Sequence, residues 1–162
     1  PTVSWFQLGA VLILLIQFGL FLKSDIPNLV SSTRRAENNP SIQFHDEVVR
    51  VLEPVETLPL HVYFDPSVYL PPHPHWTSTT TFDLLSYNYI NENQFDVLLI
   101  MQQRIRDYLN PNAAGIDPAE FALSQQFYRD ARDGSVRGYH LVFANDFGKV
   151  FVADDLYVLF PH

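Results

Sequence analysis

The sequence predicts an α/β protein with one N-terminal transmembrane helix, followed by a small three-layer α/β sandwich that has a mostly parallel sheet and a C-terminal β-hairpin. Three observations predict this fold class. The first 22 of the 162 residues carry no charged side chain. A continuously apolar run, FDVLLIM, follows a segment with a helical pattern. Two β-rich runs near the C-terminus are joined by a short loop that contains glycine.

Length and composition exclude several classes of function. The residues after Leu22 are enough for one modest domain with a hydrophobic core, but too few for a multi-helix transporter. The absence of cysteine excludes a disulfide scaffold, a Cys-ligated metal site and a thiol nucleophile. We expect no binding to nucleic acid, because the formal net charge is −8 and no basic surface is predicted. We expect no cofactor.

The segment Val3–Leu22 has the length and polarity of a single bilayer crossing. Its twenty residues include only three clearly polar side chains, and at about 1.5 Å per residue a helix would span about 30 Å. We expect Trp5 and Phe6 to lie in one headgroup layer and Lys23 to reach the other. Gln17 lies deep enough to bond a neighbouring helix in the membrane. Residues 1–23 are therefore predicted to be a membrane anchor.

One alternative to the membrane anchor is considered, and the orientation of the anchor is a separate question. A cleavable signal peptide would need a basic n-region and a small-residue cleavage site, which this segment lacks. The basic residues nearest to the helix, Lys23, Arg34 and Arg35, follow it and would hold the domain in the cytoplasm by the positive-inside rule.

Residues 24–40 are polar, contain two prolines and predict a juxtamembrane linker, so the folded domain is expected to span residues 41–162. Ser41 is predicted to cap a helix over 42–52, which Pro54 would end. The run LHVYF at 60–64 predicts a strand. Thr81 is predicted to cap a second helix, with Phe82 among the residues on one side.

The run FDVLLIM at 95–101 predicts a strand that is buried on both faces and parallel to the strand at 60–64, which makes a βαβ unit. A helix over 118–133 is predicted next. Its signals are Asp117 as the N-cap, Pro118 at the first helical position, Glu120 at the third, and Gly134 just past the end. The runs YHLVFA at 139–144 and KVFVA at 149–153 predict the closing β-hairpin.

Few residue patterns in the sequence indicate chemistry. His73 and His75, two apart in a Pro-rich run, form the best metal-like feature, although a third ligand has no obvious position and solvated histidines in a loop are the competing interpretation. Arg104 and Arg106 follow the central strand and would lie at the carboxyl edge of the parallel sheet, where open α/β folds bind anions. Simple solvation of these arginines is the alternative. No catalytic residue is predicted.

Aromatic residues are abundant for a chain of this length: 13 Phe, 8 Tyr and 2 Trp. Six of them lie at positions that cannot all be in the core, and we expect some to form a Tyr/Phe-rich surface that contacts another protein. The six are Tyr63, Phe64, Tyr69, Tyr87, Tyr89 and Tyr157.

The order of features resembles the C-terminal end of polytopic membrane glycosyltransferases of the protein-mannosyltransferase and aminoarabinose-transferase type, which use polyprenyl-phosphate sugars. The resemblance covers nearly the whole chain. It is carried by the N-terminal hydrophobic helix and by the segments HDEVVRVLE, VYFDPSVYLPP, FDLLSYNYINENQFDVLLI, DPAEFALSQQFYRDARDG and GYHLVFANDFGKVFVADDL.

This resemblance implies an extracytoplasmic domain, on the periplasmic side of a bacterial inner membrane. In that family the acidic catalytic residues and the metal site belong to a loop far upstream of the final helix, and no position here corresponds to that loop. We therefore expect a non-catalytic accessory or scaffold subunit of a respiratory, photosynthetic or envelope complex, bound to lipid and to other integral membrane proteins. The alternative is the C-terminal portion of a membrane glycosyltransferase.

Overall fold

The computed structural model describes residues 39–110 and 118–161. The predicted anchor and most of the linker, including Trp5, Phe6, Gln17 and Lys23, lie outside these residues. Within the described ranges, no helix is both long enough and apolar enough to cross a bilayer. The compact unit that contains the described helices and strands begins at Pro40.

The described residues form a mixed α/β fold around a five-stranded sheet with strand order β2-β1-β3-β5-β4. The strands are β1 Leu60–Phe64, β2 Trp76–Thr79, β3 Val97–Met101, β4 Tyr139–Ala144 and β5 Gly148–Ala153. The helices are α1 Pro40–Val51, α2 Tyr87–Asn93, α3 Gln102–Leu109, α4 Pro118–Asp133 and α5 Asp154–Tyr157, with a 3-10 turn at Glu53–Val55.

The sheet is parallel on one side and antiparallel on the other. β1 pairs in parallel with both β2 and β3, whereas β5 pairs antiparallel with both β3 and β4. The predicted α/β class, the parallel pairing of 60–64 with the central strand and the C-terminal hairpin are therefore confirmed. Parallel pairing is limited to the side that carries β1, β2 and β3.

Two apolar clusters cover the two faces of the sheet because side chains alternate along each strand. Val97 and Leu99 of β3 belong to the first cluster, with Phe44 of α1. Leu98 and Ile100 belong to the second cluster, to which α2, α3 and α4 also contribute. The helices therefore lie on both sides of a sheet whose central strand is buried on each face, as the apolar run predicted.

α1 packs very closely on the hairpin. A Cβ atom placed on Gly148 would lie 2.7 Å from the Phe44 ring and 3.2 Å from the carbonyl oxygen of Ile100. The loop before Gly148 is held by Asn145, whose Oδ1 accepts hydrogen bonds from the backbone N–H groups of Phe147 and Gly148, both at 2.9 Å. Gly148, the first residue of β5, is thus needed for the close packing of α1.

Several predicted boundaries were wrong. The helix that Thr81 was expected to cap starts at Tyr87, and Ser86 caps it by accepting a bond from the Tyr89 N–H. Ser41 is the second residue of α1, so it does not cap that helix; its hydroxyl accepts a bond from the Tyr69 N–H at 2.7 Å. The helix 118–133 has the predicted bounds, and Gly134 follows it with φ of 76°.

Candidate functional site

A crevice opens at the carboxyl ends of the neighbouring parallel strands β1 and β3. The chain leaves β1 toward one face of the sheet, where Val68 joins the first cluster. It leaves β3 toward the other face, where Ile105 of α3 joins the second cluster. Adjacent parallel strands whose connections diverge in this way leave a gap at their carboxyl ends, which is the usual ligand position in open α/β sheets. The crevice has a volume of about 230 Å³.

A buried ion pair forms the floor of the crevice. Arg104 Nη1 lies 3.1 Å from Asp65 Oδ1, and the two side chains are 9% and 1% exposed. Burial raises the pKa of Asp65, while Arg104 and the Met101 N–H, which donates to Asp65 Oδ2 at 2.6 Å, lower it. Burial lowers the pKa of Arg104, but Tyr128 and Asp65 raise it by more. The pair joins the end of β1 to the start of α3.

Two buried phenols bond the two members of this ion pair. The Tyr63 hydroxyl donates to Asp65 Oδ1 at 3.0 Å. The Tyr128 hydroxyl accepts from Arg104 Nε and from the Leu85 N–H, each at 3.2 Å. Burial raises the pKa of Tyr128 to about 12, although Arg104 opposes the shift. It also raises the pKa of Tyr63, and the carboxylate of Asp65 adds to that increase. Both phenols therefore stay protonated at neutral pH.

Arg104 also fixes the loop that forms the rim of the crevice. Its Nη1 donates to the carbonyl oxygen of Thr81 at 3.0 Å, and its Nη2 donates to the carbonyl oxygen of Asp83. The Thr81 hydroxyl accepts a further bond from the Asp83 N–H at 3.0 Å. Phe82 lies between these two residues, and its side chain is 84% exposed. These bonds fix the backbone on either side of Phe82, whose ring lies exposed at the mouth.

The opposite wall is formed by α3. Gln103 Nε2 donates to Asp107 Oδ1 at 2.7 Å, and Arg106 Nη2 donates to Gln103 Oε1 at 2.8 Å. The Tyr108 ring lies 5.3 Å from the Arg104 guanidinium carbon, a distance at which a cation is attracted to an aromatic face. This wall therefore carries an amide, a carboxylate and a phenol.

The two arginines predicted to bind an anion have different surroundings. Arg104 lines the crevice, but three of its five N–H groups donate to Tyr128, Thr81 and Asp83, and its Nη1 also forms the ion pair with Asp65. Arg106 is exposed and bonds its helix neighbour Gln103. Anion binding by either residue stays a prediction.

The two histidines predicted as weak metal candidates lie in the loop between β1 and β2. The His73 ring stacks on Trp76 with centroids 3.9 Å apart, and its Nδ1 accepts from the His75 N–H at 3.3 Å. The two imidazole rings are 5.9 Å apart. Among residues 39–110 and 118–161, no group of three His, Cys, Asp or Glu side chains is placed to hold a metal ion.

The aromatic residues expected at a partner surface are divided between core and surface. Tyr63 is fully buried, and Tyr69 is 55% exposed. The remaining four are half-buried: Phe64, Tyr87, Tyr89 and Tyr157. Sequence reasoning did not single out Phe82 or Leu123 as surface residues, yet these are among the most exposed large apolar side chains.

Sequence reasoning also missed Asp65, the partner of Arg104. A usable signal was present, because Asp65 directly follows β1 and Arg104 closely follows β3. The carboxyl ends of neighbouring parallel strands lie at the same edge of a sheet, so residues just beyond them meet. Tyr128 could not be found in this way, since it approaches from the second half of the chain.

Comparisons of the chain with known protein families, with curated proteins and with solved structures find no match.

Proposed function

We propose that this chain is a single-pass, membrane-anchored, non-catalytic accessory or scaffold subunit of a larger membrane protein complex, of respiratory, photosynthetic or envelope type. Its folded domain lies on the periplasmic side of a bacterial inner membrane. The charge-free segment Val3–Leu22 supports the anchor, because it has the length of one bilayer crossing. The resemblance to the tail of membrane glycosyltransferases supports the location of the domain.

The non-catalytic role is supported chiefly by the way in which the buried polar groups beneath the crevice are bonded. The buried groups Asp65, Arg104 and Tyr128 are bonded to one another and to the backbone around them. A general base or nucleophile has to reach a substrate with a free lone pair. Here the oxygen atoms and N–H groups of the three buried side chains bond to one another and to nearby backbone. These bonds hold β1, α3, α4 and the rim loop together, which is a structural role.

Exposed apolar side chains support binding to other proteins. Phe82, Val158 and Leu123 are 84%, 71% and 65% exposed. Large apolar groups in contact with water are costly to keep unless a partner covers them, although single exposed residues are common on any surface. Leu123 and Val158 lie on different elements, α4 and the segment after α5. We therefore treat them as two separate positions at which contact with a partner can be tested.

Site-specific photo-crosslinking tests this proposal. A photoreactive phenylalanine analogue is placed at Leu123 or Val158 of the full chain in native membranes, and at the exposed polar residue Glu92 as the matched control. We expect a discrete adduct with an integral membrane protein from at least one apolar position and none from Glu92. Efficient incorporation with no adduct at either apolar position would contradict the subunit role.

The second candidate function is the C-terminal portion of a membrane glycosyltransferase that uses a polyprenyl-phosphate sugar. The crevice favours it, because an open cleft at the edge of a sheet suits a domain that shapes the path of an acceptor to an active site elsewhere. The reading frame upstream of this chain separates the two candidates. A polypeptide several hundred residues longer, with further hydrophobic spans, would reject the subunit and support the glycosyltransferase.

A further inference from the structure

We propose that an apolar groove at the outer edge of β4 is the surface to which the partner subunit binds, and that the segment bound there is apolar and flanked by Lys or Arg side chains. This inference rests on the proposed subunit role and adds to it the face of the domain and the chemistry of the partner. Three properties of the groove support it: its apolar lining, the bulge in β4 and the acidic groups around it.

The groove is formed by three segments that are distant in sequence. The last turn of α1 and the following 3-10 turn contribute Val51 and Pro54. β4, the outermost strand on its side of the described sheet, contributes Leu141 and Val142. The chain after α5 contributes Phe160. The volume of the groove is about 480 Å³, which leaves room for large apolar side chains of a partner.

The lining is mostly apolar, and exposed aliphatic side chains adjoin it. Of the nine described lining residues, only Arg50 and Glu53 are charged, so a small ligand would find few polar groups to orient it. Val158 and Leu159, next in sequence to lining residues, are 71% and 49% exposed. An apolar concave surface that continues into exposed aliphatic side chains is typical of the centre of a protein–protein interface.

The bulge in β4 determines how a partner can bind. The register of β4 against β5 shifts between Leu141 and Phe143, so Val142 is an extra residue on this strand. A bulge at a sheet edge interrupts the regular row of N–H and C=O groups that a further strand would need. We therefore expect the partner to bind through side chains that enter the groove, where Leu141 and Val142 both lie.

Charge distinguishes a different protein from a second copy of this chain. Glu53 lines the groove, and Asp155 precedes the lining residue Tyr157 by two positions in α5. In the described part of the chain, no Lys or Arg lies within ion-pair distance of Glu53 or Asp155, and Arg50 is already paired with Glu47 at 2.9 Å. A symmetric pair of chains would bring the same acidic groups together, which is unfavourable. Lys or Arg side chains of a different protein would neutralise them.

Photo-crosslinking with mapped products tests which surface is occupied and by what. A diazirine analogue of leucine replaces Leu141 or Leu159 of the full chain in native membranes, and Leu123 is the matched position outside the groove. We expect adducts from both groove positions. Mass spectrometry should locate them in an apolar segment of an integral membrane protein, within a few residues of Lys or Arg.

The other outcomes separate this proposal from the subunit role. An adduct from Leu123 alone would leave the subunit role intact and overturn the groove as its binding surface. Adducts only with a second copy of the chain, or with a segment flanked by Asp or Glu, would overturn the stated chemistry of the partner. Efficient incorporation with no adduct at any position would contradict both proposals.

Two pairs of variants test the chemistry of the groove by co-purification from native membranes. Glu53→Lys reverses a charge at the groove and should lower the fraction of chain recovered with its partner at least about threefold, whereas Glu92→Lys on α2 should not change it. Leu141→Asp places a charge in the apolar lining and should lower this fraction as well, whereas Leu123→Asp should not.

Urea denaturation of each variant of the full chain shows whether it is folded. Glu53 is exposed, so Glu53→Lys keeps the test valid if Leu141→Asp fails to fold. Recovery with the partner at the level of the unmodified chain in folded Glu53→Lys and Leu141→Asp would overturn the groove proposal while the subunit role stands.

Discussion

Arg104 connects parts of the domain that are far apart in sequence. Its guanidinium bonds Asp65 after β1, Tyr128 of α4 and the carbonyl oxygens of Thr81 and Asp83. Because the Asp65 side chain is only 1% exposed, loss of Arg104 would leave a buried carboxylate without its counter-ion. Such an unpaired buried charge is far more costly than the loss of a surface ion pair.

The variant Arg104→Met should therefore lower the free energy of unfolding of the full chain by about 3–5 kcal/mol. The measurement is urea denaturation followed by near-ultraviolet circular dichroism. Arg106→Met, two residues later on the same helix, removes an exposed guanidinium that bonds Gln103, and it should change stability by less than about 0.5 kcal/mol. Equal losses in the two variants would show that the Asp65 pair contributes nothing specific.

Ionisation of Tyr128 is expected to lower the stability of the folded domain at alkaline pH. Its pKa is raised to about 12 in the folded protein, against an ordinary value of 10.0, chiefly because the phenol is buried. When a folded-state pKa is raised, the unfolded chain loses its proton first as pH rises. The associated stability is fully present below pH 10 and is lost as pH rises toward the folded value. Burial also raises the pKa of Tyr63 and Tyr139, so they act in the same direction.

We expect the free energy of unfolding to fall between pH 8 and pH 11, with about 1 kcal/mol of that fall due to Tyr128. Tyr128→Phe should be less stable at pH 8, because Arg104 and Leu85 lose a bond, but should show a smaller decrease on going to pH 11. Urea denaturation at both pH values measures this difference. An unchanged decrease in Tyr128→Phe would mean that this phenol does not titrate as described.

At the scale of elements, helix α2 shows how two similar local patterns compete. Thr81 and Ser86 are both residue types that cap helices, and the sequence analysis named only Thr81. In the structure the Thr81 hydroxyl forms a turn with Asp83, and Arg104 binds the carbonyl oxygens on either side of Phe82. This tertiary contact keeps the rim loop out of the helix, so α2 begins only after Ser86.

Ser86→Ala should consequently lower the free energy of unfolding by about 1 kcal/mol, the usual cost of an N-cap side chain. Thermal or urea denaturation of the full chain gives this value. Asn88→Ala, an exposed position in the same helix, should have a much smaller effect. If Thr81→Ala shortens the helix and Ser86→Ala does not, the cap assignment is wrong.

The predictability of each element depends on where its stabilising contacts lie. β3 and α4 were predicted well because an apolar run and the pair Pro118 and Gly134 are local signals. The strand β2 was missed because its sequence, WTST, is short, has three polar residues of which two are exposed, and is held mainly by the parallel ladder to β1. Helix α3 was missed because it follows β3 with no capping residue between them.

The candidate site was predictable only in part, for the same reason. The sequence placed Arg104 at the carboxyl edge of the parallel strands, and the structure places it there. The signal for the meeting of Asp65 and Arg104, their positions just after two neighbouring parallel strands, was not used, and nothing in the sequence indicated that the rim loop would hold Phe82 in solvent. Both facts depend on contacts between segments that are distant in sequence.

At the scale of the whole molecule, the two sides of the sheet differ. The parallel side ends in the crevice, whereas the antiparallel side ends in the hairpin of β4 and β5, which α1 covers through Phe44 and Gly148. The sheet thus provides a stable support for the crevice at one edge.

The subunit role is tested most directly by the state in which the full chain leaves its native membrane. Membranes that express the tagged chain at its natural level are solubilised in a mild detergent, and the purified material is examined by native mass spectrometry. Our account predicts a complex in which the chain is present in fixed stoichiometry with other integral membrane proteins. A chain that is recovered only as a monomer, without such proteins, would contradict it.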